Sequence, residues 1–201
     1  AAHRPRLPRH DEQSWRDALE TTLRMESLAL RLLDLTRAED GALVLQCSTV
    51  SLAQAFAAAW RPWSGRAAER QIEPQVTLPS DLSVEADPTL LAVVLGNLCG
   101  NAVEHSPRGS PLTVEGNRTI DGISLRLENR TDELTETDLP HLFEPFWRKD
   151  TARSDRHHHG LGLALAAEFA ALLGGKVGAQ FGGNGMVAFT LWLPGKIQPS
   201  N

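Results

Sequence analysis

Asn97 and Asn101 stand four residues apart in the run from Asp87 to Ser106, DPTLLAVVLGNLCGNAVEHS. On a helix that spacing puts both carboxamides on one face. Asn is a poor mid-helix residue, because its amide competes for the backbone's hydrogen bonds. Two of them on one stripe, beside an apolar face, mark a polar wall that binds something. Further along, Gly160 and Gly162 open an apolar segment. Glycines there let the backbone approach a ligand closely, and the free N–H groups of a helix's first turn attract an anion. An amide wall together with an anion-binding turn suits a phosphate-bearing ligand. Arg148, Lys149, Arg153 and Arg156 lie between the two, in a polar stretch without apolar periodicity. The run His157-His158-His159 invites a metal, but adjacent histidines rarely converge on one ion, and no Asp, Glu or Cys joins them at helical spacing. A stacked or phosphate-facing imidazole fits them better.

These residues need elements to hold them. Asp87 is placed to cap a helix whose first residue is Pro88, where a missing N–H costs nothing. Leu91, Val94, Leu95, Leu98 and Ala102 recur at three- and four-residue steps and make its buried face. Residues 1–10 read as a loop. From Asp11 to about Ala38 the pattern is helical, with Met25, Leu28, Leu32 and Leu35 forming a bundle or coiled-coil seam and Gly41 a stop. Leu43 to Cys47 is a short strand candidate, and Val50 to Ala68 an Ala-rich helix that Pro62 breaks or kinks. Ile72 to Leu78, Leu82 to Ala86, Leu112 to Arg118 and Gly122 to Glu128 read as strands, the last alternating apolar and polar. Thr135 with Asp138 has the spacing of a capping box. Leu161 to Leu173 is an apolar helix stopped by Gly174-Gly175, and Val177 to Phe181 pairs with Val187 to Leu193. Together they predict one mixed sheet covered by helices on one side, an α/β sandwich preceded by a long helix.

Composition limits the function classes. At 201 residues with 41% apolar content, the chain suits one ordinary domain plus an appendage. A net charge of −5 argues against a nucleic-acid partner. No apolar run reaches membrane-spanning length, so no membrane contact is expected of this sequence. Cys47 and Cys99 match no metal spacing, and Cys99, inside the Asp87 helix, reads as a buried free thiol in a reducing compartment.

Three ordered stretches carry a family resemblance. NLCGNAVEHSP resembles the N box of the GHKL ATPases, specifically of sensor histidine kinases; LFEPFWRKD is like the F box; GLGLALA is like the second glycine box. The resemblance implies a Bergerat-type sandwich that binds ATP and Mg²⁺, with Asn101 placing its oxygen on the ion. An amide oxygen is a hard neutral ligand of the kind Mg²⁺ takes. Asn97 and His105, on or after the same face, are expected to contact the nucleotide, as are Gly160, Leu161 and Gly162. Asn97, Arg153 and Arg156 are the expected catalytic residues, the two arginines in a lid whose cations neutralise charge developing on the γ-phosphate. RLLDLTRAEDG resembles the end of the second helix of the dimerisation and phosphotransfer hairpin. The implied organisation is residues 1–40 as part of that hairpin and residues 41–201 as the catalytic ATP-binding domain.

The implied activity is transfer of the γ-phosphoryl of Mg-ATP to a histidine outside this chain, because none of the seven histidines sits in a motif like HExRTPL. The implied partners are a response regulator and the kinase's own hairpin helix in a homodimer, in the cytoplasm below a membrane-anchored sensor. Several departures stand against the pattern. His158 occupies a glycine position. Where the family shows DxGxG, its Asp receiving the adenine amino group, this chain has Asn129, Thr131 and Glu133, and keeps Leu134 to pack on the base. Glu104 stands where many relatives carry lysine. These changes leave a second reading open, a nucleotide-sensing or dimerising module that no longer phosphorylates. A GHKL ATPase acting on a protein serine is a third, disfavoured by the hairpin-like helix.

Overall fold

The computed structural model describes residues 45–149 and 160–195. The hairpin-like helix, the lid residues Arg153, Arg156 and His157 to His159, and the C-terminal tail lie outside the described residues.

The chain begins with strand β1 (Ser48–Ser51), helix α1 (Leu52–Trp60), a 3-10 turn Arg61–Trp63 and helix α2 (Ser64–Glu69). The single helix expected over Val50 to Ala68 is therefore divided, and Pro62 sits in the break, where it can neither donate nor continue an α-helix. Of the strand expected at Leu43 to Cys47, Leu43 and Val44 lie outside the described residues and residues 45–47 are not in a strand; the strand here is β1. Pairing decides its place: β1 lies antiparallel to β3 (Ser83–Ala86), Ser48 opposite Ala86, while the Gln46 N–H donates to Asp87 Oδ2 at 3.0 Å. The two make a separate ribbon rather than part of one sheet.

Strands β2 (Pro74–Thr77), β4 (Leu112–Arg118), β5 (Gly122–Arg130), β6 (Lys176–Phe181) and β7 (Met186–Pro194) form a five-stranded mixed sheet in the order β2-β4-β5-β7-β6. Only β2 and β4 are parallel. β5 runs two residues beyond the expected Glu128, and its inward residues Ile123, Leu125, Leu127 and Asn129 are all buried. Their neighbours Ser124, Arg126 and Glu128 are half-exposed on the other face, the period of two that a sheet covered on one side requires.

Helix α3 (Pro88–His105) is the axle of the helical layer. Asp87 caps it, Oδ1 accepting from the N–H groups of Thr89 at 2.9 Å and Leu90 at 3.3 Å. At the other end Arg70 Nη2 donates to the Ser106 carbonyl at 2.6 Å. Leu91, Val94, Leu95, Leu98, Cys99, Ala102 and Val103 are buried. A side chain at Gly100 would stand 2.5 Å from a Trp63 ring atom, so this glycine lets the indole lie directly on the helix. Helix α4 (Gly162–Leu172) packs along α3 and ends in a Schellman turn: Gly174, at φ +71°, donates to Ala171 and Gly175 donates to Ala170. No helix among the described residues is long and apolar enough to cross a membrane.

Candidate nucleotide site

From Val94 onward most of α3 is enclosed, and the less buried residues after it are Gly96, Asn97, Asn101, Glu104 and His105. The two amides therefore share the open stripe that their spacing predicts. Asn97 Nδ2 donates to the Val93 carbonyl at 2.9 Å, which turns its oxygen outward. That oxygen lies 3.2 Å from where a β-carbon on Gly162 would stand, so the stripe meets the first residue of α4. The Asn101 side chain, one turn on, has no hydrogen bond among the described residues. His105 is exposed in the last turn of α3. Glu104 does not face the stripe alone, because Arg66 of α2 brings its Nη1 to 3.6 Å from Glu104 Oε1. Nothing in the sequence marked Arg66, since only the packing of α2 beside α3 pairs them.

The glycine segment is held by the F box. Gly160 has φ +65°, and its carbonyl accepts from the Phe146 N–H at 2.9 Å. A β-carbon at Gly160 would stand 2.6 Å from the Trp147 carbonyl oxygen, an approach that only glycine permits. Leu161 is the half-buried cap residue of α4, and no side chain caps that helix. Its first N–H groups are thus left for a ligand, beside Asn97.

Below this segment, the 3-10 turn Glu136–His141 opens as the capping box predicts, with the Thr135 N–H donating to Asp138 Oδ2 at 2.7 Å. Lys149 Nζ also donates to Asp138 at 2.5 Å. Hydrogen bonds from Lys149 and Thr135 hold the Asp138 carboxyl down at about 2. Lys149 is thereby tied to the start of this 3-10 turn. Phe143 is half-buried against the core, Trp147 stacks near His141, and Phe146 is 70% exposed with φ +66°.

Asn129 is 1% exposed at the end of β5. Its Nδ2 donates to the Arg130 carbonyl at 3.0 Å, and its Oδ1 has no partner among the described residues. The loop after it lacks the expected glycines but is tied otherwise. The Thr131 N–H donates to the Gly185 carbonyl at 2.9 Å, and Thr131 Oγ1 accepts from the N–H groups of Glu133 and Leu134. Leu134 packs against the core. Cys99 is buried, which pushes its thiol up to about 12. No group of three or more His, Cys, Asp or Glu among the described residues is placed to hold a metal. A cleft lined by Arg118, Thr119, Ile120, Asp121, Lys176 and Trp192 lies at the β4–β5 turn and contains none of the site residues.

Comparison with known proteins agrees with this geometry. The chain is 31% identical over 193 residues to the signal transduction histidine-protein kinase AfsQ2 of Streptomyces coelicolor, covering 94% of this chain and 34% of that protein. It is 31% identical to the sensor protein VanSC of Enterococcus gallinarum, covering 81% of this chain and 45% of that protein. The chain thus spans less than half the length of these curated relatives. Among solved structures, the Acinetobacter baumannii histidine kinase AdeS superposes with a TM-score of 0.73 at 20% identity, over 96% of this chain and 87% of that one. The catalytic domain of the histidine kinase ThkA superposes with a TM-score of 0.67 at 22% identity, over 78% of this chain and all of that one. At those identities they show the fold. The family model of histidine kinase-, DNA gyrase B- and HSP90-like ATPases matches residues 86–197, from the foot of α3 past the end of β7, and the chain belongs to that family.

Proposed function

We propose that this chain is the catalytic, ATP-binding region of a sensor histidine kinase, moving the γ-phosphoryl of Mg-ATP to a histidine on a dimerisation hairpin. The observation that carries the reading is the open amide stripe of α3 set against the uncapped start of α4 at Gly162. Phosphate oxygens fit the free N–H groups of that first turn. The uncommitted Asn101 amide fits a Mg²⁺ ion, which is held by one or two protein oxygens and by phosphates rather than by a full protein cage. Bound there, the ion would neutralise phosphate charge. Asn97, its amide turned by Val93, orients the phosphate chain, and His105 closes the end of the stripe. Asn129 and Leu134 take the base. Gly160 and Leu161 set the approach of the glycine segment. Arg153 and Arg156 are proposed to meet the γ-phosphate during transfer.

Two observations support nucleotide binding despite the departures from the family pattern. Thr131 ties the base loop without the usual glycines, and Arg66 neutralises Glu104 beside the stripe. Residues 1–40 are proposed as part of the dimerisation hairpin, and a response regulator as the downstream partner. A solved structure pairs ThkA with the response regulator protein TrrA, and another describes the cytoplasmic segment of the kinase QseC; by analogy this region is proposed to act in the cytoplasm, and a homodimer through the hairpin is proposed with it.

The test is a fluorescent-nucleotide titration with and without Mg²⁺. Wild type should gain affinity when the ion is added, and Asn101→Ala should lose that gain while melting at the same temperature. An equal Mg²⁺-dependent gain in both proteins would remove Asn101 from the site.

A further inference from the structure

Glu104 stands three residues after Asn101 on the open stripe of α3, its side chain 10% exposed. A lone carboxylate there would repel the phosphates that the stripe is read to receive. The last turn of α3 adds to this, because the unsatisfied carbonyls of a helix's C-terminus carry partial negative charge. Helix α2 meets both, and its contacts lay it along this end of α3 in one register. Just before it the Trp63 indole lies on Gly100. Within it Arg66 Nη1 stands 3.6 Å from Glu104 Oε1, and at its end Arg70 Nη2 donates to the Ser106 carbonyl at 2.6 Å. The seam continues past the helix: the Gly109 N–H donates to the Arg70 carbonyl at 2.9 Å, and Arg108 Nε donates to Gln71 Oε1 at 3.2 Å. The backbone that carries Arg66 is thus held opposite Glu104 from both sides, although the Arg66 side chain is 46% exposed. An ion pair this open contributes little to folding stability. Its effect falls on the charge that enters the stripe beside it.

We propose that Arg66 of α2 is a positioning residue that sets phosphate affinity: by compensating Glu104 it turns an anionic wall of the stripe into a neutral one. The inference rests on the nucleotide-site reading above. Arg66 acts through Glu104 and needs no contact with the phosphates. Removing the cation leaves the carboxylate facing the phosphate chain, and a longer chain meets it with more negative charge. Removing the carboxylate as well makes the wall neutral again. Removing the carboxylate alone leaves Arg66 uncompensated, which favours the phosphates.

The experiment titrates ATP and ADP, each with Mg²⁺, into the full chain and into four variants: Arg66→Gln, Arg66→Lys, Glu104→Gln and the double Arg66→Gln/Glu104→Gln. Arg66→Gln should bind ATP about fivefold more weakly than wild type, the effect of one uncompensated charge across a solvent-lined gap. ADP carries less charge and should lose no more than about twofold. Arg66→Lys keeps a point charge and should stay within about twofold of wild type for ATP. Glu104→Gln should bind ATP more tightly than wild type, and the double variant should return to within about twofold of it. The Arg66→Gln loss should shrink at about 1 M salt, where charges are screened within roughly 3 Å. All four variants should melt within a few degrees of wild type. Wild-type ATP affinity in Arg66→Gln, or an Arg66→Lys as weak as Arg66→Gln, would overturn the proposal. A loss that persists in the double variant, or that is equal for ATP and ADP and unmoved by salt, would also overturn it, leaving Arg66 a structural prop alone. So would weaker ATP binding by Glu104→Gln, a measurement that needs no Arg66 variant to fold. Absence of saturable binding of either nucleotide to wild type would instead overturn the nucleotide-site reading itself.

Discussion

Replacing Gly160 by Ala probes the clasp between the F box and the glycine segment. The added carbon would stand 2.6 Å from the Trp147 carbonyl oxygen and 2.9 Å from the Phe146 carbonyl carbon, backbone atoms that no rotamer can move aside. Two responses compete. Keeping the clasp costs about 1–2 kcal/mol for a left-handed Ala and about 1–3 kcal/mol for the overlap. Releasing it forfeits the hydrogen bond from Phe146 to Gly160, about 0.5–1.5 kcal/mol. Release is cheaper, so the variant should fold with the clasp open. Because Phe146 is largely exposed, the melting temperature should fall by no more than about 2–6 °C. Nucleotide binding feels more, since it needs the clasped approach to α4. Restoring that approach costs the difference between the two routes, about 0.5–4.5 kcal/mol, so ATP affinity should drop by more than about twofold. Isothermal titration gives the affinity, and hydrogen exchange at the Phe146 amide gives the clasp. A variant that binds ATP within about twofold of wild type, with that amide equally slow, would refute the reasoning.

Gly100→Ala should disturb the core, because the new carbon would stand 2.5 and 2.8 Å from Trp63 ring atoms. The cost is about 1–3 kcal/mol, visible as a lower denaturant midpoint and a shifted tryptophan emission. Asp138 is held at about 2, below the ordinary carboxylate value of about 3.9. Its pairing therefore stabilises the fold above about pH 4 and is lost as pH falls from about 4 towards 2. Melting curves of Asp138→Asn and wild type should separate above about pH 4 and converge in acid. Cys99, pushed up to about 12, behaves oppositely. Its thiol is compatible with the fold below the ordinary value of about 8.5, and stability falls as pH rises from there towards about 12, where only the unfolded chain ionises freely. At about pH 8, a thiol reagent should modify the exposed Cys47 quickly and Cys99 only through opening of the fold.

The sequence alone determined whatever depends on neighbours within a few residues. The Asp87 cap, the amide stripe of α3, the Pro62 break, the capping box at Thr135 and the alternation of β5 are all local, with periods of two or three to four written directly in residue type. The three boxes supplied the family in the same way. Tertiary structure decided what depends on pairing between distant residues. Strand β1 settled on the polar run Ser48–Ser51 because β3 and the Asp87 carboxylate set its register, not because its own pattern was the most apolar. Glu104 looked hostile to phosphate until α2 brought Arg66 against it. Lys149 looked like a cation for the ligand until Asp138 took it. In each case a side chain's residue type states what it can bond, but the packed chain decides which partner is within about 3 Å, and a hydrogen bond exists only at that distance.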